Sequence, residues 1–346
     1  MASNVDEYLY DGTIRVVTDN TVVVAPMLRS SRGDILFFTK DGIPKSRFNR
    51  KGNGPGEYPN VYKVFYDEEA DDLFILSAAS SDLIQVYSST GMHKREVPLP
   101  QGVIFMNGII SLDDQSFLCH DEENGVKRVM TNEADLSSKD YFESFYLISK
   151  TDGTVLDYIE LPITQIFLGI YFDGRRLPAV NQNRLIKCTE GAFLCNPEND
   201  TVFLYKPDKS LTPVLHKTPL ITSTNPRSYL NNCIDVGLYQ FTEVYTLRPG
   251  DEAPGILPVR NYMRNTITGE VVHPKFLLPD FKGKEFIISV ALSARTSGFD
   301  NGVLFELDLI ELKQALNDNR LSGKLKELVA TLKEDDNNVF VMVQFH

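Results

Sequence analysis

An all-β chain folded as a six-bladed β-propeller, four antiparallel strands to a blade, is what this sequence predicts, and three observations carry it. Short runs of β-branched and aromatic residues bounded by Asp, Asn, Gly and Pro recur throughout, as in TVVVAP, DILFFTKDG, DDLFILSA, SFYLISKTDG and DTVFLYKPD. Helical periodicity is nearly absent before residue 305, which excludes the alternating strand-helix pattern of α/β folds. Finally, one phrase repeats: an aromatic-bearing strand, a turn rich in Asp, Gly or Ser, then a second strand often ending at proline.

The repeat appears as ILFFTKDGIPKSRFN, LIQVYSSTGMHKREVPLP, FYLISKTDGTVLDYIELP, VFLYKPDKSLTPVLHKTP and, more faintly, RNYMRNTITGEVVHPKFLLP. Anchored at Ile35, Ile84, Phe145, Val202 and Tyr262, it recurs at spacings of 49, 61, 57 and 60 residues. A unit of that length holds four strands, and two further strands precede each hairpin, as in VYKVFYDEEADDLFILSA. EFIISVALSA, GVLFELDL and NVFVMVQF supply a sixth unit, so residues 1–346 read as one propeller domain.

Within the last unit, DLIELKQALNDNRLSGKLKELVATLKEDD places Leu309, Leu312 and Leu316, then Leu325, Leu328 and Leu332, at helical spacing. This predicts a helical insert over about 309–334, two short helices broken at Ser322-Gly323, packed on a blade edge. Residues 5–10 are expected beside NVFVMVQF as the outer strand that closes the ring, because an unpaired edge invites aggregation.

Composition narrows the function classes. With 35 Lys+Arg against 47 Asp+Glu the net charge is −12, the wrong sign for nucleic acid or an anionic membrane surface. No apolar run reaches the roughly 18 residues of a spanning helix; residues 103–112 and 163–172 are the longest. No charged-then-apolar leader follows Met1, so the chain reads as cytoplasmic or as lacking a leader it once had. The absence of tryptophan excludes WD repeats and Trp-ending aspartate boxes.

Four cysteines, Cys119, Cys188, Cys195 and Cys233, do not make a disulfide scaffold. A hairpin turning at Gly191-Ala192 would set Cys188 opposite Cys195, which admits a cross-strand disulfide; buried free thiols are the other reading.

At Lys51 the sequence reads KGNGPGEYPNVYKVFYD. With Gly52, Gly54, Pro55, Gly56, Glu57 and Tyr58 forming a GxGPGEY segment, the chain resembles a six-bladed β-propeller family abundant in Bacteroidetes and related in architecture to NHL propellers. The acidic turn and closing strand LKEDDNNVFVMVQF and the repeated hairpin extend the resemblance over the whole chain. It implies a periplasmic or cell-envelope location, since members often carry lipoprotein or secretory leaders. It transfers no catalytic residue.

Taken by itself, GNGPGEY is neither a dinucleotide fingerprint nor a P-loop, for Glu57 stands where glycine is required and no Lys-Ser/Thr pair closes it. Glycines and Pro55 suit a tight crossing between blades. Glu57 and Tyr58 either brace that loop or face the channel mouth.

Metal and nucleophile signals are weak. His93, His120, His216, His273 and His346 show no ligand spacing, the acidic runs 67–72 and 120–124 lack the EF-hand pattern, and there is no GxSxG elbow. Neither a cofactor nor a metal is expected.

Two polar insertions stand out on a scaffold that needs only short connections. LGIYFDGRRLPAVNQNRL offers Tyr171, Arg175, Arg176, Asn181, Gln182, Asn183 and Arg184; TSTNPRSYLNNC offers Asn225, Arg227, Tyr229, Asn231 and Asn232. Aromatic faces with amide and guanidinium donors suit a sugar or an anionic small molecule; ordinary polar connections paired with surplus carboxylates are the alternative. The function expected is non-catalytic recognition of a glycan, peptide or protein at the channel mouth. Two other readings stand beside it: a hydrolase or lyase with an active site assembled from several blades in the central channel, with or without a metal ion, and a structural partner in a cell-envelope complex.

Overall fold

The structure, a computed structural model, describes residues 12–26, 30–77, 82–100, 108–120, 145–161, 171–172, 175–176, 185–195, 200–226, 228–246, 259–286, 302–334 and 336–345. Five four-stranded antiparallel sheets follow one another along the chain. Blade 1 comprises β1 (Gly12–Val17), β2 (Thr21–Pro26), β3 (Asp34–Thr39) and β4 (Pro44–Asn49). Blade 2 comprises β5 (Lys63–Asp67), β6 (Asp72–Leu76), β7 (Leu83–Tyr87) and β8 (His93–Pro98). Blade 3 holds β9 (Gly108–Ser111), β10 (Ser116–His120), β11 (Phe145–Ser149) and β12 (Val155–Ile159). After the small hairpin β13 (Tyr171–Phe172) and β14 (Arg175–Arg176), blade 4 holds β15 (Leu185–Cys188), β16 (Gly191–Cys195), β17 (Thr201–Tyr205) and β18 (Leu211–His216). Blade 5 holds β19 (Ser228–Val236), β20 (Tyr239–Thr246), β21 (Val259–Asn265) and β22 (Val271–Val272). The five repeated hairpins are the third and fourth strands of these blades.

Why the strands read as unbroken apolar runs follows from their burial on both faces. Successive side chains of a strand point to opposite sides of its sheet. In β6, Leu73 and Ile75 join the core between blades 1 and 2, while Phe74 and Leu76 join the core between blades 2 and 3. The same division recurs in β16, where Ala192 and Leu194 face blade 3, and Phe193 and Cys195 face blade 5. Hydrophobic layers between consecutive blades therefore hold the ring together. Outer strands such as β4 and β8 alternate half-buried and exposed positions, with one buried residue each, Phe48 and Val97.

Closure is visible at the last blade. Following the short pair β23 (Phe276–Leu277) and β24 (Glu285–Phe286), β25 (Gly302–Leu307) pairs antiparallel with β26 (Val339–Gln344). Val303 and Val343 pack into the layer shared with blade 5, and Phe340 packs on Ile14, Val17 and Val22 of blade 1. The sixth sheet thus sits between the fifth and the first. The expected closing strand at 5–10, and most of EFIISVALSA, lie outside the described residues.

The helical insert comprises α1 (Leu309–Asn317), capped where the Asp308 side chain accepts the Glu311 N–H, and α2 (Gly323–Thr331). Leu312, Ala315, Leu325 and Val329 pack with Phe281, Leu307 and Val339, so the helices cover the edge of blade 6. Lys313 donates to the Val329 and Leu332 carbonyls at the end of α2, and Asp280 receives the Leu325 N–H near its start.

One sequence expectation is corrected. The β15–β16 hairpin turns at Thr189–Glu190, because Cys188 pairs with Gly191 and Leu185 with Leu194. Cys195 lies beside Val202 of β17 instead, and none of the four cysteines is in a disulfide. Gly191 is a strand residue whose backbone approaches the Tyr205 carbonyl too closely to admit a side chain.

Candidate ligand-recognition face

Each blade is joined to the next by a crossing from the end of an outer strand to the start of the next inner strand. The segments singled out by sequence are three of these crossings: residues 50–62 into β5, 160–184 into β15 and 217–227 into β19. Inner strands line the channel, so their starts surround one mouth of it.

The first crossing is a tightly bonded knot. Tyr58 is fully buried; its hydroxyl donates to the Gly33 carbonyl at 2.6 Å and accepts the Arg50 N–H at 3.1 Å. Burial holds its phenol far above the usual range, so it stays neutral. The Glu57 carboxylate folds back under the glycines and accepts the Gly54 N–H at 2.8 Å. A side chain at Gly52 would collide with that carboxylate. Tyr87 of β7 donates to the Gly56 carbonyl at 3.1 Å, and its ring meets Tyr58 edge-on at 5.7 Å. Asn53, Gly54 and Pro55 form the exposed tip.

In the second crossing, β13 and β14 set Tyr171 opposite Arg176 and Phe172 opposite Arg175, so the aromatic and both arginines share one hairpin. Asn181 and Asn183 lie outside the described residues, as do Gln182 and Arg184.

A buried ion pair anchors the third crossing. Lys217, just after β18, meets Asp200, just before β17, at 2.9 Å, with both side chains less than a tenth exposed. The second Asp200 oxygen accepts the Ile221 N–H at 2.8 Å, which starts the 3-10 turn Ile221–Ser223. Beyond it, Tyr229 is buried and stacks on Tyr245 of β20, ring centroids 5.7 Å apart and planes at 15°. Asn231 stands opposite Glu243 in the β19–β20 register, and the Tyr245 hydroxyl lies 3.4 Å from the Glu243 carboxylate. Arg227 lies outside the described residues.

Glu243 and Tyr245 escaped the sequence reading. Their signal is the alternation in YQFTEVYT, which puts Tyr239, Phe241, Glu243 and Tyr245 on one face. A carboxylate in register with the buried Phe241 is a polar residue in a core position, and Glu243 is indeed buried.

The histidines are dispersed. His93 bonds Gln85 at 2.8 Å, His216 bonds Thr201 at 2.8 Å, His273 bonds the Asn261 carbonyl at 3.0 Å, and the His120 ring lies against Phe145. Among the described residues, no three His, Cys, Asp or Glu side chains are placed to hold a metal ion.

Comparison with known proteins agrees with this architecture. The model of the DUF5128 family, described as a 6-bladed beta-propeller, matches residues 6–152, which include the GxGPGEY crossing. A solved structure named "Putative exported protein" from Bacteroides fragilis superposes with a TM-score of 0.63 at 15% identity, covering 97% of this chain and 90% of that one. The chain is a six-bladed β-propeller. A member of the DUF4221 family from Bacteroides vulgatus is similar to the propeller at a TM-score of 0.46 and 11% identity, covering 77% of this chain and 80% of that one. Virginiamycin B lyase from Staphylococcus aureus is similar at 0.40 and 13%, covering 77% and 70%; likeness at these levels says nothing of the propeller's activity. No curated protein matches the propeller in sequence. Among its described residues, no helix is long and apolar enough to cross a membrane.

Proposed function

We propose that this propeller is a non-catalytic recognition module that binds a glycan, peptide or protein at the channel mouth, with the two polar crossings as its contact surface. One observation supports the reading: the inner strands β15 and β19, which these two crossings feed, lie side by side. Residues 160–184 supply Tyr171, Arg175, Arg176, Asn181 and Asn183, and the segment running into β19 supplies Arg227 and Asn231, while Tyr229, buried against Tyr245, braces the start of that strand. Aromatic faces stack on sugar rings or peptide planes, guanidinium groups hold carboxylates bidentately, and carboxamides supply both donors and acceptors. Glu57 and Tyr58 serve the same mouth indirectly, by fixing the first crossing.

An exported, cell-envelope location fits both the Bacteroidetes resemblance and the name "Putative exported protein" given to the Bacteroides fragilis structure of the same fold. The test is a thermal-shift screen of the full chain against glycan and peptide panels, repeated with R175A/R176A and N183A. A ligand that prefers the folded state raises Tm, and the variants should lose that rise while keeping the ligand-free Tm. A hit whose shift survives all these substitutions removes the crossings from the site.

A further inference from the structure

The seam between blades 4 and 5 contains a carboxyl group with an incomplete set of partners. Asp235 is the penultimate residue of β19, the strand that carries Tyr229 and Asn231 in its first half. Its Oδ1 is buried without a hydrogen-bond partner, and it lies opposite Gln240 in the β19–β20 register. The Gln240 side-chain oxygen accepts from Arg264 Nη1 at 3.0 Å, and the same nitrogen donates at 3.2 Å to the Val214 carbonyl of β18, in the neighbouring blade. Among the described groups facing Asp235, Arg264 is the cation that favours its ionised form, while Glu190 in the β15–β16 turn opposes it. Glu190 is itself paired with Lys206. The Cys188 and Cys233 thiols also face it, and burial keeps both protonated.

We propose that the protonation state of Asp235 sets how tightly blades 4 and 5 are joined. Neutral Asp235 makes no demand on Arg264, which then bridges Gln240 and Val214 and closes the seam. Ionised Asp235 places a buried negative charge beside that guanidinium and draws it inward, away from Val214, because an unpaired buried charge costs more than one lost hydrogen bond to a half-buried carbonyl. Burial supports the switch by raising the carboxyl from its ordinary 3.8 to about 6, with hydrogen bonding from Gln240 partly offsetting the rise. Acid therefore tightens the joint and neutral pH loosens it.

Hydrogen exchange of the full chain at about pH 5 and about pH 8, corrected for the intrinsic rate at each pH, tests this. Protection of residues 211–216 and 259–265 should fall roughly tenfold from the lower pH to the higher. Asp235→Asn should keep the strong protection at both pH values. Arg264→Gln, which removes the bridge whatever the charge on Asp235, should show weak protection at both. A wild-type seam indifferent to pH, or a response that persists in either variant, overturns the proposal.

Discussion

Gly153, in the turn between β11 and β12, lies so close to Pro98 at the end of β8 that an added Cβ would fall on the Pro98 carbonyl oxygen. Its φ is +72°, where glycine alone is unstrained. The turn of blade 3 is thus pressed on the outer strand of blade 2, as Gly91 of blade 2 is pressed on Phe48 of blade 1. Gly269, with a φ of +73° at the matching turn of blade 5, has no atom of the described residues within 4 Å of the position a Cβ would take. Gly153→Ala should therefore cost about 2–4 kcal/mol, through both backbone strain and collision. Gly269→Ala should cost only about 1 kcal/mol, from strain alone. Urea unfolding of the two variants checks the difference; equal losses would mean that the turns do not bear on the neighbouring blade.

Blade 4 breaks the pattern, because Lys209 occupies the turn position with a φ of +68°. Its ammonium reaches Asp157 of blade 3 at 2.8 Å, an exposed ion pair that contributes little in water. Relief of the left-handed backbone outweighs loss of that pair and the added freedom of the unfolded chain. Lys209→Gly should accordingly stabilise the protein by about 0.5 kcal/mol, read as a higher urea midpoint with an unchanged slope.

A carboxylate ties the first two blades together at their turns. Glu68, after β5, accepts hydrogen bonds from the Thr18 hydroxyl at 2.9 Å, from the Asn20 N–H at 3.2 Å and from the Thr21 hydroxyl. Burial alone would raise its pKa, but the bonds from Thr21, Thr18 and Asn20 outweigh it and hold the group below its ordinary 4.5. A lowered carboxyl adds stability above its unfolded-state pKa and loses it as pH falls through the folded value. Glu68→Gln should cost roughly 1 kcal/mol at neutral pH, and the gap between variant and wild type should close as the solution is acidified below the ordinary glutamate range. A gap independent of pH would show that shape, not charge, is what the turn requires.

How much of this was legible in sequence depends on whether burial or register does the specifying. DDLFILSA and DTVFLYKPD announce their strands because both faces of a blade are covered, and apolar runs of that length have no other use here. The helical insert was equally plain, its leucines marking the face that lies on blade 6. Gly191 misled because glycine usually marks a turn, whereas here it admits the backbone of β17. The pairing of Tyr229 with Tyr245, and of Asn231 with Glu243, was hidden, since the partners come from different strands and meet only through a register containing a bulge between Asn231 and Cys233. Tyr58 was visible as a motif residue, but its bond to Gly33 spans 25 positions and no local pattern encodes it.

The buried pair Asp200–Lys217 is the remaining point where one substitution should be decisive. It closes the ends of β17 and β18 and, through the Ile221 N–H, holds the start of the crossing that leads to Tyr229. Removing the lysine leaves a carboxylate in a site with almost no solvent, so Lys217→Met should cost about 3 kcal/mol or more. Adding Asp200→Asn to that variant removes the stranded charge while its carboxamide oxygen still accepts the Ile221 N–H, and should recover part of the loss. A double-mutant cycle by chemical denaturation measures both steps. If the double variant is no more stable than Lys217→Met, the pair acts through packing of the lysine stem, and charge burial is not what anchors the crossing.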